Sequence, residues 1–176
     1  MSGSADKYFS EEYIALNAQL HLQNRRFGYN AAKRKSIIKE LVNRYGAKTV
    51  LDYGSGKGSL KEVMGEIIRN YDPAIPEFSS LPEPADLVVC LDVMEHIEPP
   101  YVDNVLDHIK SLTLKAAYFI IVFHESKDIL PDGTNAHVCI EGKRFWDEKL
   151  KARFKIVNRF ISEKEEGFYE VIPLTS

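Results

Sequence analysis

The chain has 176 residues, 44% of them hydrophobic and 28% charged, with a formal net charge of −3: one globular domain with enough chain for a core. That charge leaves no overall electrostatic footprint for nucleic acid, and Cys90 and Cys139 show no metal-ligand spacing, so reduced thiols in a cytoplasmic protein without a metal are expected. No apolar run reaches the length of a membrane helix, residues 1–10 lack a signal-peptide core, and no internal repeat is present.

Residues 1–30 read as an N-terminal helix and lid segment, and residues 31–176 as a single domain. The spacing predicts a helix from Ser10 to Arg26, with Ser10 as its cap, Glu11 and Glu12 in the first turn, and Tyr13, Leu16 and Leu20 recurring as an apolar stripe. Tyr13, Asn17 and His21 follow one another at one-turn intervals on a neighbouring face. Such a polar-aromatic stripe either lines a substrate pocket or is a solvated face. Residues 25–30 read as a turn. A second helix spans Ala31 to Tyr45, buried through Ile37, Ile38, Leu41 and Val42. Its Lys33, Arg34 and Lys35 read as solvated charges, with nucleic-acid contact as the alternative. Gly46 ends this helix and delivers the chain into a strand.

That strand runs into the most informative stretch, Val50-Leu51-Asp52-Tyr53-Gly54-Ser55-Gly56-Lys57-Gly58-Ser59. An apolar strand, a glycine-rich turn and a helix start are how an α/β sheet holds a nucleotide-like ligand. Asp72 follows Asp52 by twenty residues, after the apolar pair Ile67-Ile68, where a carboxylate can accept hydrogen bonds from both ribose hydroxyls. Two phosphate-binding patterns fit poorly. The dinucleotide fingerprint G-x-G-x-x-G meets Ser59 at its third glycine, and a P-loop would need glycine at Leu51 and a hydroxyl at Gly58. Val-Leu-Asp-Tyr-Gly-Ser-Gly-Lys-Gly instead resembles the first motif of class I S-adenosylmethionine-dependent methyltransferases.

Further along, a short helix from Leu60 to Met64 and a strand from about Glu66 to Tyr71 are expected. Residues 73–84 carry four of the chain's eight prolines, which argues against a regular helix or central strand. In the resembled family a helix and a third strand occupy this position and help hold adenine; here an extended segment replaces them. Ile75, Phe78 and Leu81 are candidates for the adenine clamp.

Asp86 introduces a wholly apolar strand, Leu87 to Leu91, of the kind buried on both faces of a parallel sheet. The segment that follows, Asp92-Val93-Met94-Glu95-His96-Ile97, resembles the D-V-L-E-H-I stretch of many small-molecule methyltransferases. His96 reads as a base or as a structural histidine capping the next turn. Pro99 and Pro100 start a helix from Tyr101 to Ser111, and Ala116 to Phe123 is a further strand. His124 stands at its end, ahead of a loop from Ser126 to His137 that contains Asn135. A helix from Lys143 to Lys151 precedes two closing strands, Phe154 to Phe160 and Gly167 to Leu174.

The resemblance covers roughly Ala31 to Leu174 and implies an α/β, Rossmann-like, mostly parallel sheet with helices on both faces and a C-terminal antiparallel hairpin, abbreviated after the second strand. It implies S-adenosyl-L-methionine as cofactor, contacted by Asp52, Gly54, Ser55, Gly56, Gly58, Asp72, Pro73, Asp92, Val93 and Glu95. His124 and His137 are the candidate general bases, since histidine titrates near neutrality. Tyr13, Asn17, His21 and Asn135 are candidates for substrate contact. Neither the N-P-P-Y motif of nucleobase amino-group methylation nor a Pro-Cys nucleophile is present: Cys90 follows Val89. A small or polar metabolite acceptor, such as a sugar or nucleotide derivative, is therefore expected rather than DNA. Cofactor cleavage, or a non-catalytic binding or partner module, are the readings from other classes. Oligomeric state is not legible.

Overall fold

The computed structural model describes residues 8–23 and 31–175; the end of the expected first helix and the turn at 25–30 fall outside these. Six strands form one sheet in the order β2-β1-β3-β4-β6-β5: β1 (Val50–Tyr53), β2 (Ile68–Tyr71), β3 (Ala85–Leu91), β4 (Thr113–Val122), β5 (Phe154–Ile161) and β6 (Glu166–Pro173). The first four pair in parallel, and β6 and β5 close the sheet as an antiparallel hairpin. The order β2-β1-β3 means that the chain leaves β1 to one side and then crosses to the other. Ligands in open α/β sheets bind at such a reversal.

Strand parity sorts the core, because alternate side chains face opposite sides of a sheet. Leu51, Tyr53, Val88, Cys90, Phe119 and Ile121 face α4 (Val102–Leu112) and α5 (Lys143–Lys151), where Leu106, Ile109 and Trp146 meet them. Val50, Leu87, Val89, Leu91 and Ile120 face α2 (Lys35–Tyr45) and α3 (Ser59–Met64), contacting Ile38, Leu41 and Leu60. Both cysteines are buried free thiols. Gly46 caps α2 in the left-handed conformation, as its position predicts.

Three details differ from the sequence reading. Strand β2 starts at Ile68 rather than Glu66, because Gly65–Ile67 winds as one 3-10 turn. β4 starts at Thr113, three residues before Ala116, and pairs there with Ala85. Arg34 is not a solvated charge: it lies 3.8 Å from Glu166 and 5.4 Å above the Phe168 ring, pinning the start of α2 to β6. The proline-rich segment holds one short turn, Pro76–Phe78, tied back by the Asp72 amide donating to the Phe78 carbonyl at 3.0 Å.

Candidate active site

At the carboxyl ends of the parallel strands lies a cavity of about 800 Å³, walled by the segments that follow β1, β2, β3 and β4 and roofed by α1 (Glu11–Gln23). Its volume falls within the range of small-molecule sites.

The glycine loop forms one wall. Amides of Gly54 and Ser55 both donate to the Tyr71 carbonyl, at 2.8 and 3.0 Å, which fastens the loop to the end of β2. Gly54 has φ +76°, and a Cβ there would sit 2.5 Å from Val93 Cγ2. Glycine is required on both counts: only backbone fits between the strand end and Val93. Asp72 caps the loop from β2. Its Oδ2 accepts from the Gly56 amide at 2.8 Å and its Oδ1 from the Ala74 amide at 2.9 Å. Burial raises Asp72 to about 6, against the pull of those two amides. Asp52 lies beneath the loop, 1% exposed, with Oδ2 unpartnered; burial, then the neighbouring Asp72 charge, raises it to about 7.

The segment after β3 forms the facing wall. Asp92 adopts φ +56°, a left-handed conformation that Asp tolerates better than most residues and that often marks a functional turn. Glu95 is fully buried, and no hydrogen bond of ordinary geometry reaches either carboxylate oxygen. Burial and the Asp92 charge hold its carboxyl well above the usual range, with the amides of Glu95 and Val122 pulling the other way. His96 reaches across to the loop after β4. Its Nδ1 donates to the Ala136 carbonyl at 2.7 Å, and burial together with His137 lowers it to about 3.

The loop after β4 completes the chamber. His124 and His137 both line it, and His137 Nδ1 donates to the His124 carbonyl at 2.6 Å. Burial lowers the His137 pKa. Asn135 is turned to its own loop: Oδ1 accepts from the Ser126 and His137 amides, and Nδ2 donates to the Ser126 carbonyl.

Helix α1 closes the top. Ser10 caps it, accepting from the Tyr13 amide at 3.1 Å, while its own amide and hydroxyl donate to the Glu98 carboxylate at 3.0 and 2.9 Å. Tyr13 and Leu20 pack on Leu130 and Ala136, so the helix and the loop form a small core of their own. The stripe is therefore not a solvated face: Tyr13, Asn17 and His21 all border the cavity. Tyr13 Oη donates to the Ala136 carbonyl at 3.3 Å, and Asn17 Nδ2 to the Tyr13 carbonyl at 2.9 Å. Burial, then Lys57, lowers His21 to about 4.

The cavity brings together Gly54, Ser55, Gly56, Asp72, Pro73, Asp92, Val93 and Glu95 with both candidate bases. Asp52, Gly58 and Asn135 stand behind its surface, Gly58 as the residue preceding α3. The adenine-clamp candidates Ile75, Phe78 and Leu81 are not part of its lining; Phe78 packs under Gly58, and Leu81 is exposed. Ala74 borders the cavity instead. Phe9, Ile14 and Glu166 also reach it. Phe9 and Ile14 carry an apolar signal indistinguishable from core, and Glu166 sits across the chain on β6.

A family model described as a methyltransferase domain matches residues 29–162. No curated protein sequence matches the chain. Among solved structures it is similar to the N-methyltransferase NodS from Bradyrhizobium japonicum in complex with S-adenosylhomocysteine, at 13% identity and TM-score 0.62, covering 93% of this chain and 100% of that one. It is similar also to 1,6-didemethyltoxoflavin-N1-methyltransferase from Burkholderia thailandensis, at 18% identity and TM-score 0.61, covering 99% and 93%. A third is magnesium protoporphyrin IX methyltransferase from Synechocystis, at 14% identity and TM-score 0.63, covering 96% and 100%. With its switch-point cavity and glycine loop, the chain belongs to the methyltransferase-domain family: it is a class I methyltransferase, of the kind that uses S-adenosylmethionine.

Proposed function

We propose that this chain transfers a methyl group from S-adenosylmethionine to a small, polar metabolite, with a sugar or nucleotide derivative as the favoured class. The observation that carries this reading is the convergence of the glycine loop, the Asp72 carboxylate and the Asp92–Glu95 segment on one cavity at the switch point. The residues present fit the cofactor. Gly54 leaves only backbone beside Val93, and each Asp72 oxygen, having accepted one amide, retains a lone pair for a hydroxyl donor. Charge-assisted bonds of that kind contribute about 1.5–3 kcal/mol each.

When bound, the cofactor supplies an electrophilic methyl on a sulfonium. The chain's part is alignment: holding donor and acceptor in line contributes about 7–11 kcal/mol in well-oriented reactions. A hydroxyl acceptor must also lose a proton. His124 or His137 takes it; the Nδ1–H of His137 is committed to the His124 carbonyl, which puts the basic lone pair on Nε2. Support for a small acceptor comes from the cavity's size and from its roof, α1 packed on Leu130 and Ala136. The Burkholderia relative, which is bound to 1,6-didemethyltoxoflavin, is also a small-molecule enzyme.

Calorimetric titration with S-adenosylmethionine and S-adenosylhomocysteine, alongside Asp72→Ala, tests the first half. Micromolar binding lost in the variant is expected, and failure of the wild type to bind either ligand overturns the reading. Mass spectrometry of sugar and nucleotide candidates after incubation tests the second. Unchanged turnover in both His124→Ala and His137→Ala would remove the base assignment.

A further inference from the structure

Glu95 poses a problem that the methyl-transfer reading leaves unsolved. Its side chain is fully enclosed, and no hydrogen bond of ordinary geometry reaches either carboxylate oxygen; only the amides of Glu95 itself and Val122 lie near enough to favour its charge, whereas buried carboxylates are ordinarily paired, fully hydrogen-bonded or bound to a cation. Two imidazoles stand beside it. One ligand atom each from Glu95, His96 and His137 lie within 4.8 Å of one another. Both rings are already oriented. His96 Nδ1 faces the Ala136 carbonyl at 2.7 Å and His137 Nδ1 the His124 carbonyl at 2.6 Å. A carbonyl only accepts, so each Nδ1 carries the proton and each Nε2 the lone pair. That is the outer hydrogen bonding by which metal-binding histidines are held.

The frame around the three is stitched from two distant segments. Amides of Val138 and Cys139 donate to the Glu95 carbonyl at 2.9 and 3.0 Å, and the His137 amide donates to Asn135 Oδ1 at 2.9 Å. All three residues belong to the wall of the cavity.

We propose that Glu95, His96 and His137 form a binding site for a divalent transition-metal cation that opens onto the substrate chamber. Two imidazole nitrogens with one carboxylate favour zinc, manganese, iron(II) or cobalt over calcium and magnesium, and three protein ligands leave positions open. Ligand atoms around such a cation lie roughly 3–4 Å apart, so the side chains close on it by small rotations. The spacing that ruled out a metal at the cysteines could not expose this set, because His137 reaches His96 only through the folded loop.

An open position on the cation suits a hydroxyl oxygen of the acceptor, whose proton then leaves for His124 or solvent more readily. His137 is in that case a ligand, and His124 the remaining base. This use of the cation rests on the methyl-transfer reading; cation binding itself does not.

The test uses the full chain, stripped with a chelator and titrated with cobalt(II) chloride in the absence of cofactor, followed by visible absorption and elemental analysis. One equivalent of cobalt per chain is expected, displaced by zinc. Proton NMR of the cobalt protein should show paramagnetically shifted N–H signals from two histidines. Glu95→Gln and His137→Gln should each weaken binding at least tenfold, with circular dichroism showing that they fold. Asp72→Asn should keep the cobalt site while losing cofactor binding, so that failure of one reading is distinguishable from failure of the other. Substoichiometric cobalt in the wild type, shifted signals from other than two histidines, or undiminished binding in folded variants would overturn the proposal.

Discussion

Gly54 and Val93 come from different loops, yet the fit between them decides whether the first wall of the site forms. A Cβ at position 54 would lie 2.5 Å from Val93 Cγ2 on a backbone with φ +76°. Gly54→Ala is expected to lower stability by about 2–4 kcal/mol, the left-handed strain and the clash together. Adding Val93→Ala should recover the steric share and leave the strain, which thermal melts of the single and double variants will separate. Asp72 sets a second expectation at this scale. Burial holds it near 6, and the hydroxyls it is proposed to bind require the carboxylate. Below that pH a proton must leave before ligand binds. Cofactor affinity should therefore fall by up to about tenfold per pH unit under pH 6, as calorimetry at pH 5 and 7.5 would show. A flat profile would remove Asp72 from the contact set.

Helix α1 and the loop after β4 act together at the scale of elements. The helix is anchored at its first turn by Ser10 on Glu98 and further along by Tyr13 on Ala136, and these contacts roof the chamber. Glu98→Ala removes two partly buried bonds at the helix start while leaving the sheet untouched. Amide exchange in residues 11–16 should quicken about fivefold or more, the equivalent of ~1 kcal/mol of local opening, with little change in the global melt. If exchange there is unaltered, the roof is held by its apolar contacts alone. Residues 1–30 read as an N-terminal helix and lid segment beside a domain at 31–176. Phe9 of that segment packs into the main core cluster.

For the whole molecule, burial of acids beneath one cavity shapes the pH dependence of stability. Asp52 is raised to about 7 and Asp72 to about 6, both above the ordinary carboxylate value. The folded state holds these protons where the unfolded chain has lost them. Their contribution is present in acid and disappears as pH rises from about 4 to 7. His21, lowered to about 4, His96, lowered to about 3, and His137, also lowered, act oppositely over an overlapping range, while Glu95 adds to the acids, so a simple profile would mix them all. A difference isolates the acid: Asp52→Asn should match wild type within about 1 kcal/mol at pH 5 and exceed it at pH 8, by on the order of 1–3 kcal/mol in urea unfolding. Equal differences at both pH values would mean that Asp52 does not titrate in this window. Among the described residues no helix is long and apolar enough to cross a membrane.

Much of this protein was legible in local sequence because its determinants are local. Alternate glycines after an apolar strand can make only a tight loop; an unbroken apolar run at 87–91 can be stable only when covered on both faces; four prolines in twelve residues deny the amides that a helix or inner strand would need. Those patterns determined the class of fold, the place of the glycine loop and the abbreviation after β2. What tertiary structure decided was which side chains meet. Tyr13 reaches Ala136 across 123 residues and His96 reaches it across 40, so neither contact leaves a trace in spacing. Asn135 turned inward on its own loop, Arg34 settled half-buried against Phe168 and Glu166, and Glu95 was enclosed beside two imidazoles. The contacts of Tyr13, His96 and Glu95 depend on the parallel pairing of β3 with β4, which carries the loops after both to the same end of the sheet, and that of Arg34 on β6 lying beside β4; such pairing is long-range and belongs to no one segment.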